Sequence, residues 1–358
     1  MQEECHITML DELFILITFL ALMFIFRWAF KTLPEERWQI IGCFPYRQLS
    51  EGRWQGWNLT WYGFFNAVAM VFAVLIFLIM TGSLSTPLIA SISLIALLLA
   101  ICLPAAKIMA FLIEKKRNTF TVGGASFIGI LAAPWIISLT NLTAGKWLGF
   151  NITPINTMAA ISIAYTLGEA VGRLACISFG CCYGKPLIDC SPLINKIFRN
   201  HNFIFIGKTK KIAYAHKRDG QPVIPVQALT AVIYSLTGLT GFYLFLKGFT
   251  TTAFILTLTT TQLWRALSEF LRADYRGTGE ISSYQIMAAI ACLYGLFIAH
   301  LFNETSIVTP DLALGFAAIW NPAALIFLLV LWMTTFFYSG KSRVTASVIE
   351  IHVLSEKI

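Results

Sequence analysis

Nine long apolar runs constrain the fold of this chain more than any other feature. A helix needs about 20 predominantly apolar residues to cross the hydrocarbon core of a bilayer, and each run is close to that length. The runs are continuous rather than alternating, which favours helices over the strands of a barrel. We therefore predict an all-α, polytopic transmembrane helical bundle. The predicted spans are about 10–30, 58–80, 87–113, 121–140, 154–175, 223–246, 251–272, 283–302 and 314–338.

The low charge content agrees with this fold class. Only 12% of the 358 residues are charged, whereas a soluble globular protein has about 25%. The first run is flanked by acidic residues, and no small-residue cleavage site precedes Arg27. Secretory signal peptides show the opposite features, so we expect the first run to be an uncleaved helix.

The basic residues collect on one side of the predicted bundle. The loop 185–222 alone holds eight Lys or Arg residues against two Asp. The positive-inside rule would make this side cytoplasmic, whereas binding to anionic lipid headgroups would allow the opposite orientation. We expect no nucleic-acid partner, because the loop has no recognition motif and adjoins the bilayer. If the spans alternate in direction, the basic side receives residues 31–57, 114–120 and 185–222, the Arg272–Arg276 turn and the C-terminal tail.

The chain is predicted to have three parts. Residues 58–302 form the membrane domain, with the polar insertion 185–222 as a small head. Residues 1–57 add a helix and a loop before this domain, and residues 303–358 add a helix and a polar tail after it.

Two polar regions have local patterns of their own. In the head, Phe203–Ile206 and Ile212–Ala215 are β-prone and are separated by turn residues. The tail, Ser342–Ile358, alternates apolar and polar residues over part of its length. This alternation is typical of a weak strand or of a disordered end.

The cysteines cluster at the end of the fifth run. Cys176, Cys181 and Cys182 lie within seven residues there, and Cys190 follows. Metal sites usually show paired CxxC motifs with distant partners, so this spacing predicts no metal. Small side chains at 180–184 favour close approach of the backbone to a lipid or a helix. A disulfide at Cys190 would require an oxidising compartment.

Two runs carry charges at membrane depth. Glu169 and Arg173 are spaced i,i+4 in the fifth run, while Arg265, Glu269 and Arg272 share one stripe at the end of the seventh. Charged residues in spans are costly and mark functional sites by default. They could form a neutral structural network, but the arginines exceed the carboxylates by one. We therefore favour an anionic ligand such as a lipid phosphate.

Six short motifs in these runs and turns resemble one family in both content and order. They resemble the prolipoprotein diacylglyceryl transferases, and the resemblance extends over about two thirds of the chain, from Trp61 to His300. The motifs are Trp61-Tyr62-Gly63, GGASFIG at 123–129, GRLACISFGCCYG at 172–184, Pro225-Val-Gln227, R-x3-E-x2-R at 265–272 and ISSYQI at 281–286.

The resemblance implies a fold, a reaction and a location. Members are seven-helix enzymes of the bacterial inner membrane with a head between the fourth and fifth helices, here 185–222. The bundle would then be seven family-like helices plus one extra helix at each end. The reaction moves diacylglyceryl from phosphatidylglycerol to the lipobox cysteine thiol of a prolipoprotein, releasing glycerol phosphate. The expected partners are phosphatidylglycerol, a prolipoprotein and the bilayer, with no cofactor.

The resemblance also implies site residues. Arg173, Arg265 and Arg272 would hold the phosphate, Glu269 would orient the arginines, and Tyr62 would hydrogen-bond the lipid headgroup. The further phosphatidylglycerol-binding positions are Gly124, Ser126, Gly129, Glu169, Gly184 and Gln227.

The chain departs from the family pattern at three of its positions. Ile128 replaces the family histidine, Cys176 its asparagine and Cys181 its glutamate. These changes keep two alternatives open: the same fold acting on a different acceptor, and a non-catalytic protein that binds lipid or a partner. A transporter would need broken helices in matched halves, and no such pairing is visible. The family orientation places the basic side outside the cytoplasm, and we expect that orientation here.

Overall fold

The computed structural model describes residues 2–115, 121–273, 281–302 and 309–358, and the predicted helical bundle is confirmed. Eight helices among these residues are long and apolar enough to cross a membrane. The principal helices are α1 (Gln2–Thr32), α2 (Trp61–Ser83), α3 (Leu88–Glu114), α4 (Val122–Thr140), α5 (Pro154–Phe179), α6 (Pro192–Phe198), α7 (Lys211–His216), α8 (Val226–Leu246), α9 (Thr250–Glu269), α10 (Ser283–Leu301), α11 (Leu312–Ile319) and α12 (Pro322–Gly340). The strands are β1 (Ile40–Ser50), β2 (Arg53–Thr60), β3 (Phe203–Ile204), β4 (Pro222–Val223) and β5 (Lys341–Glu350).

The predicted span 251–272 is helical but polar. It corresponds to α9, which has the length of a span but too many threonines to be one of the eight apolar helices. The buried hydroxyls of Thr257 and Thr261 each donate to the carbonyl one turn earlier, at 2.8 Å. In the interior of a membrane no water is present, so polar groups must form their hydrogen bonds within the protein. α9 packs against α5, α8 and α10.

The predicted span 314–338 is two helices rather than one. α11 ends at Ile319 and α12 begins at Pro322, so the break follows Trp320. Asn321 caps the new helix, because its Oδ1 accepts the backbone N–H of Ala323 at 2.9 Å. Proline in the first turn and asparagine at the N-cap are typical helix-start residues.

α5 lies at the centre of the bundle and packs on α2, α8 and α9. It is the most buried of the eight apolar helices. Glycines allow the close approach: a Cβ added at Gly168 would lie 2.5 Å from the Cβ of Ala73 on α2. A Cβ at Gly238 on α8 would lie 2.6 Å from Leu167. Any charged side chain on α5 is therefore enclosed by other helices.

A three-stranded antiparallel sheet joins the two ends of the chain. β2 pairs with both β1 and β5, so the strand order is β1-β2-β5. The prediction of a loop within residues 31–57 is therefore wrong, because a hairpin occupies most of it. The alternative of a strand in the tail is confirmed over Lys341–Glu350. The apolar spans dominated the sequence pattern, and the hairpin precedes the second span without a break.

The head lies at the end of α1, on the same side as the hairpin. The backbone N–H of Ile206 donates to the Pro34 carbonyl at 3.2 Å, and Glu36 accepts from the Thr209 hydroxyl at 3.1 Å. This confirms that the basic segments 31–57, 185–222 and the tail share one side. Lys116, Arg117 and Arg276 belong to the same prediction but lie outside the described residues.

The two β-prone pieces of the head have different outcomes. β3 covers the first half of Phe203–Ile206 and pairs with β4, so a strand there is confirmed. The prediction of a strand over the second piece, Ile212–Ala215, is wrong, because this piece lies within α7. Ile212 is completely buried in that helix, and this single contact with the core does not require a strand.

Lys210 fixes the head to two helix ends. Its side chain is fully buried, and its Nζ donates to the Leu33 carbonyl at 2.9 Å and to the Ser178 carbonyl at 2.5 Å. These carbonyls lie at the C-terminal ends of α1 and α5, where no helical N–H remains to bind them. Burial lowers the pKa of Lys210 to about 7, from 10.5.

We expect a pH-dependent stability that depends on Lys210. The unfolded chain binds the proton more tightly than the folded chain, so the free energy of unfolding should rise between pH 7 and pH 9, by about 2 kcal/mol. Lys210→Met should remove this rise and, by leaving two carbonyls without a donor, lower stability at pH 7 by about 1–3 kcal/mol. Thermal unfolding in detergent at several pH values measures both. Lys211→Met is the matched control, and an unchanged pH slope in Lys210→Met would contradict the assignment.

A close contact between Gly63 on α2 and Gly340 on α12 allows a test of how firmly α12 is held. A Cβ added at Gly63 on α2 would lie 2.2 Å from the Gly340 Cα, so Gly63→Ala must separate the two helices. We expect a loss of about 1–3 kcal/mol, typical of overpacking. Gly172→Ala is the control, because its Cβ would meet Ala69 at an ordinary 3.7 Å. Thermal unfolding should show a lower midpoint for Gly63→Ala only; equal midpoints would mean that α12 is loosely docked.

Candidate functional site

One face of α5 carries three polar side chains one turn apart. Tyr165, Glu169 and Arg173 follow at intervals of four residues, which places them on a single stripe. The Glu169 carboxylate accepts hydrogen bonds from both neighbours, the Tyr165 hydroxyl and the Arg173 guanidinium. Our sequence analysis missed Tyr165, although the i,i+4 spacing to Glu169 was a signal that could have revealed it.

Arg265 joins this stripe from α9. Its Nη2 donates to Glu169 Oε2 at 2.9 Å and to the Tyr165 hydroxyl at 2.5 Å. Its Nη1 donates to the Ser126 hydroxyl on α4 at 3.0 Å. Three helices therefore meet at one guanidinium. We call Ser126, Tyr165, Glu169, Arg173 and Arg265 the arginine cluster.

The arginine cluster has a surplus of positive charge in a buried setting. Arg173 and Arg265 share the single carboxylate of Glu169, and the exposed fractions of the three side chains are only 14%, 11% and 5%. The Nε–H groups of Arg173 and Arg265 are buried and have no hydrogen-bond partner in the described part of the chain. A buried donor without a partner costs about 1–3 kcal/mol or more. An anion beside these groups would provide both the missing negative charge and hydrogen-bond acceptors.

The glycines at the start of α4 make room for two different groups of neighbouring atoms. Gly123 makes room for the cluster, because a Cβ there would lie 2.9 Å from Arg265 Nη1. Gly124 and Gly129 face α3: added Cβ atoms would lie 2.4 Å from Met109 and 3.1 Å from Cys102. The Gly124 N–H is used by the Thr121 hydroxyl at 3.4 Å. Close helix packing therefore accounts for Gly124 and Gly129.

A short loop, residues 180–185, closes the end of α5. Gly180 ends the helix with φ +70°, and Cys182 also takes a left-handed conformation, with φ +56°. Gln227 Nε2 donates to the Cys181 carbonyl at 2.8 Å. Gly184 forms an antiparallel bridge with Arg272, and a Cβ at Gly184 would lie 2.5 Å from the Ile224 carbonyl. The predicted residues Gly184 and Gln227 thus position this loop.

The loop gathers three thiols beside the arginine cluster. The sulfur atoms of Cys176, Cys181 and Cys182 all lie within 4.8 Å of one another. Arg173 lies three residues before Cys176 on the same helix. The ring of Tyr62, at the start of α2, lies 5.1 Å from the ring of Phe179, with the two planes tilted by 50°.

Two predicted residues lie apart from the arginine cluster. Glu269 is half-buried one turn beyond Arg265, and no hydrogen bond or ion pair joins its carboxylate to another described residue. Arg272 reaches the loop through its backbone bridge with Gly184. The orienting contacts to the arginines come from Glu169 and Tyr165, so a role for the Glu269 and Arg272 side chains stays a prediction.

Comparison with known proteins identifies the family of this chain. The family model described as prolipoprotein diacylglyceryl transferase matches residues 53–301, which is well over half of the chain. No curated protein gave a significant match. The matched region contains the arginine cluster, the loop and the head, and the family is one of transferases acting in lipoprotein biosynthesis. This multi-pass membrane protein belongs to the prolipoprotein diacylglyceryl transferase family.

Proposed function

We propose that the protein transfers diacylglyceryl from phosphatidylglycerol to the lipobox cysteine of a prolipoprotein, in the inner membrane of a bacterium. The acceptor sulfur attacks the glycerol carbon, a carbon–sulfur bond forms, and the carbon–oxygen bond to phosphate breaks. Glycerol phosphate leaves and the product is a thioether. The surplus positive charge of the arginine cluster is the observation that carries this proposal.

The arginines supply what the leaving group needs. A phosphodiester carries one negative charge, which matches the surplus of Arg173 and Arg265 over Glu169. Charge grows on the phosphate as the carbon–oxygen bond breaks, and fixed guanidinium donors stabilise that charge in a buried site. Ser126 and Tyr165 hold Arg265 at the correct angle, so little reorganisation is required.

The remaining predicted residues have proposed supporting roles. Tyr62 and Arg272 would contact the lipid headgroup near the loop, with Glu269 beside them. Gln227 and Gly184 would keep the loop in place, which is consistent with their contacts. Gly124 and Gly129 would set the distance between α3 and α4.

A transfer assay tests the proposal. Purified protein is mixed with phosphatidylglycerol labelled in its acyl chains and with a lipobox peptide. We expect label on the peptide cysteine, and we expect Arg173→Ala to abolish it. Arg199→Ala is the matched control, since Arg199 is an exposed arginine of the head. Label transfer that survives Arg173→Ala would contradict the role of the arginine cluster.

A different acceptor is the second candidate function. It is favoured by Ile128, a half-buried apolar side chain where the family has a histidine. In that case phosphatidylglycerol should bind in an Arg173-dependent manner, and no label should reach the peptide. The same assay, with bound lipid measured after removal of free lipid, separates the two functions.

A further inference from the structure

The three thiols at the end of α5 form a compact group that the proposed phosphate site does not use. All three sulfur atoms lie within 4.8 Å of one another, and none of the three cysteines forms a disulfide. Cys181 is buried, while Cys176 and Cys182 are half-buried. The sequence spacing alone did not predict this, because the turn at 180–182 folds Cys181 and Cys182 back over Cys176.

The loop that brings them together is firmly held. Cys182 has φ +56°, a conformation that residues other than glycine rarely adopt and that concentrates at functional sites. Three hydrogen bonds hold the flanking backbone: Cys181 N–H to the Cys176 carbonyl at 3.0 Å, Gln227 to the Cys181 carbonyl at 2.8 Å, and Lys185 N–H to the Leu271 carbonyl at 2.8 Å.

The geometry points to a metal site: we propose that Cys176, Cys181 and Cys182 together bind one thiophilic cation, of which Zn²⁺ is the type. Zinc–sulfur bonds of about 2.3 Å in a tetrahedral arrangement place the sulfurs about 3.8 Å apart. Sulfurs within 4.8 Å reach that spacing through shifts of an ångström or less. Thiolate ligands select soft or borderline cations over Mg²⁺ or Ca²⁺.

Three protein ligands leave one coordination position open, as in catalytic zinc sites. The following step rests on the proposed function. The acceptor thiol takes the open position, loses its proton to solvent and stays bound as a thiolate. A thiolate is the nucleophilic form of cysteine, so the metal replaces the base that Ile128 cannot provide. The metal-bound sulfur attacks the glycerol carbon, and the departing phosphate is stabilised by the adjacent Arg173 and by Arg265.

Metal binding is tested without any assay of activity. The full-length protein is purified in detergent with a reductant, treated with a chelator, and dialysed against Zn²⁺ or Cd²⁺. We expect one equivalent per chain and, for Cd²⁺, an ultraviolet sulfur-to-metal charge-transfer band. Cys176→Ser and Cys182→Ser should each weaken binding by at least about 100-fold, because even loss of an outer partner of a ligand costs 10–100-fold.

Matched variants and a second readout keep the test decisive. Cys190→Ser and Cys292→Ser remove thiols outside the group and should bind metal like the unmodified protein. Thermal unfolding of each metal-free variant shows whether it is folded. Metal that binds equally to Cys182→Ser, or a Cys–Cys disulfide found within the group by mass spectrometry in place of metal, would overturn the site.

Chelation of the metal tests whether the metal activates the acceptor thiol. If the metal activates the acceptor, chelation should abolish transfer and added Zn²⁺ should restore it. One equivalent of metal bound with transfer unchanged after chelation would overturn the activating role. If no variant and no metal-loaded protein transfers label, the proposed function fails while the binding result decides the metal site separately.

Discussion

Glu169→Gln is expected to reduce transfer by about 100-fold or more and to lower the free energy of unfolding by about 3–5 kcal/mol. The substitution keeps the shape of the side chain but removes the only carboxylate that pairs with Arg173 and Arg265 among the residues that the structure describes. Removing one partner of a buried ion pair costs about 3–5 kcal/mol, because the remaining charge stays buried without compensation. Here two guanidinium groups lose the same charged partner. The amide also offers one acceptor oxygen where the carboxylate accepts from Tyr165, Arg173 and Arg265.

The matched control is Glu269→Gln, which changes a half-buried glutamate on the neighbouring helix. Its carboxylate binds no other described residue, so we expect its free energy of unfolding to change by less than about 0.5 kcal/mol. Thermal unfolding and the transfer assay are measured on both variants. The opposite result, in which Glu269→Gln reduces transfer and stability and Glu169→Gln does not, would contradict the arginine cluster. It would support the sequence-based prediction that Glu269 orients the arginines.

Arg265→Lys is expected to lower kcat/KM by about 100-fold, or about 2.7 kcal/mol, while most of the stability is kept. The substitution preserves the positive charge that Glu169 requires. A lysine ammonium is a point donor and cannot reproduce the planar fork that bonds Ser126, Tyr165 and Glu169 at once. Charge is therefore retained and orientation is lost.

Comparing this variant with Arg199→Lys isolates the effect of orientation. Arg199 is exposed on the head, so its replacement should leave transfer unchanged. Phosphatidylglycerol binding and transfer are measured for both proteins, and the Arg265 variant should lose more in transfer than in binding. Equal transfer by both proteins would show that position 265 needs only a positive charge.

The sequence predicted the parts of the molecule that follow from hydrophobic patterning and from the cost of buried charge. The bundle and the family are both confirmed. Glu169 and Arg173 were paired correctly, because residues four apart on a helix are neighbours in any fold.

Contacts between distant elements could not be predicted in the same way. Arg265 and Glu269 lie on one stripe of α9. Only the packing of α9 on α5 determines that the Arg265 side chain is the one that contacts Glu169. The turn between Cys176 and Cys182 has two left-handed residues, Gly180 and Cys182. A glycine is usual at such a position and a cysteine is not, so the sequence did not predict that the turn brings the three thiols together. The hairpin of β1 and β2 was hidden by its position directly before an apolar span.

The three-stranded sheet has a consequence for dividing the chain. The family similarity begins at residue 53, which is the first residue of β2, the central strand. The border of the similarity therefore passes through the sheet, between β1 and β2, and not through a linker. A truncated protein that begins there keeps β2 but loses β1, and one that ends at residue 301 loses β5. Each cut exposes an unpaired strand edge, which promotes association between molecules. A shortened protein should therefore either keep all three strands or lack all three.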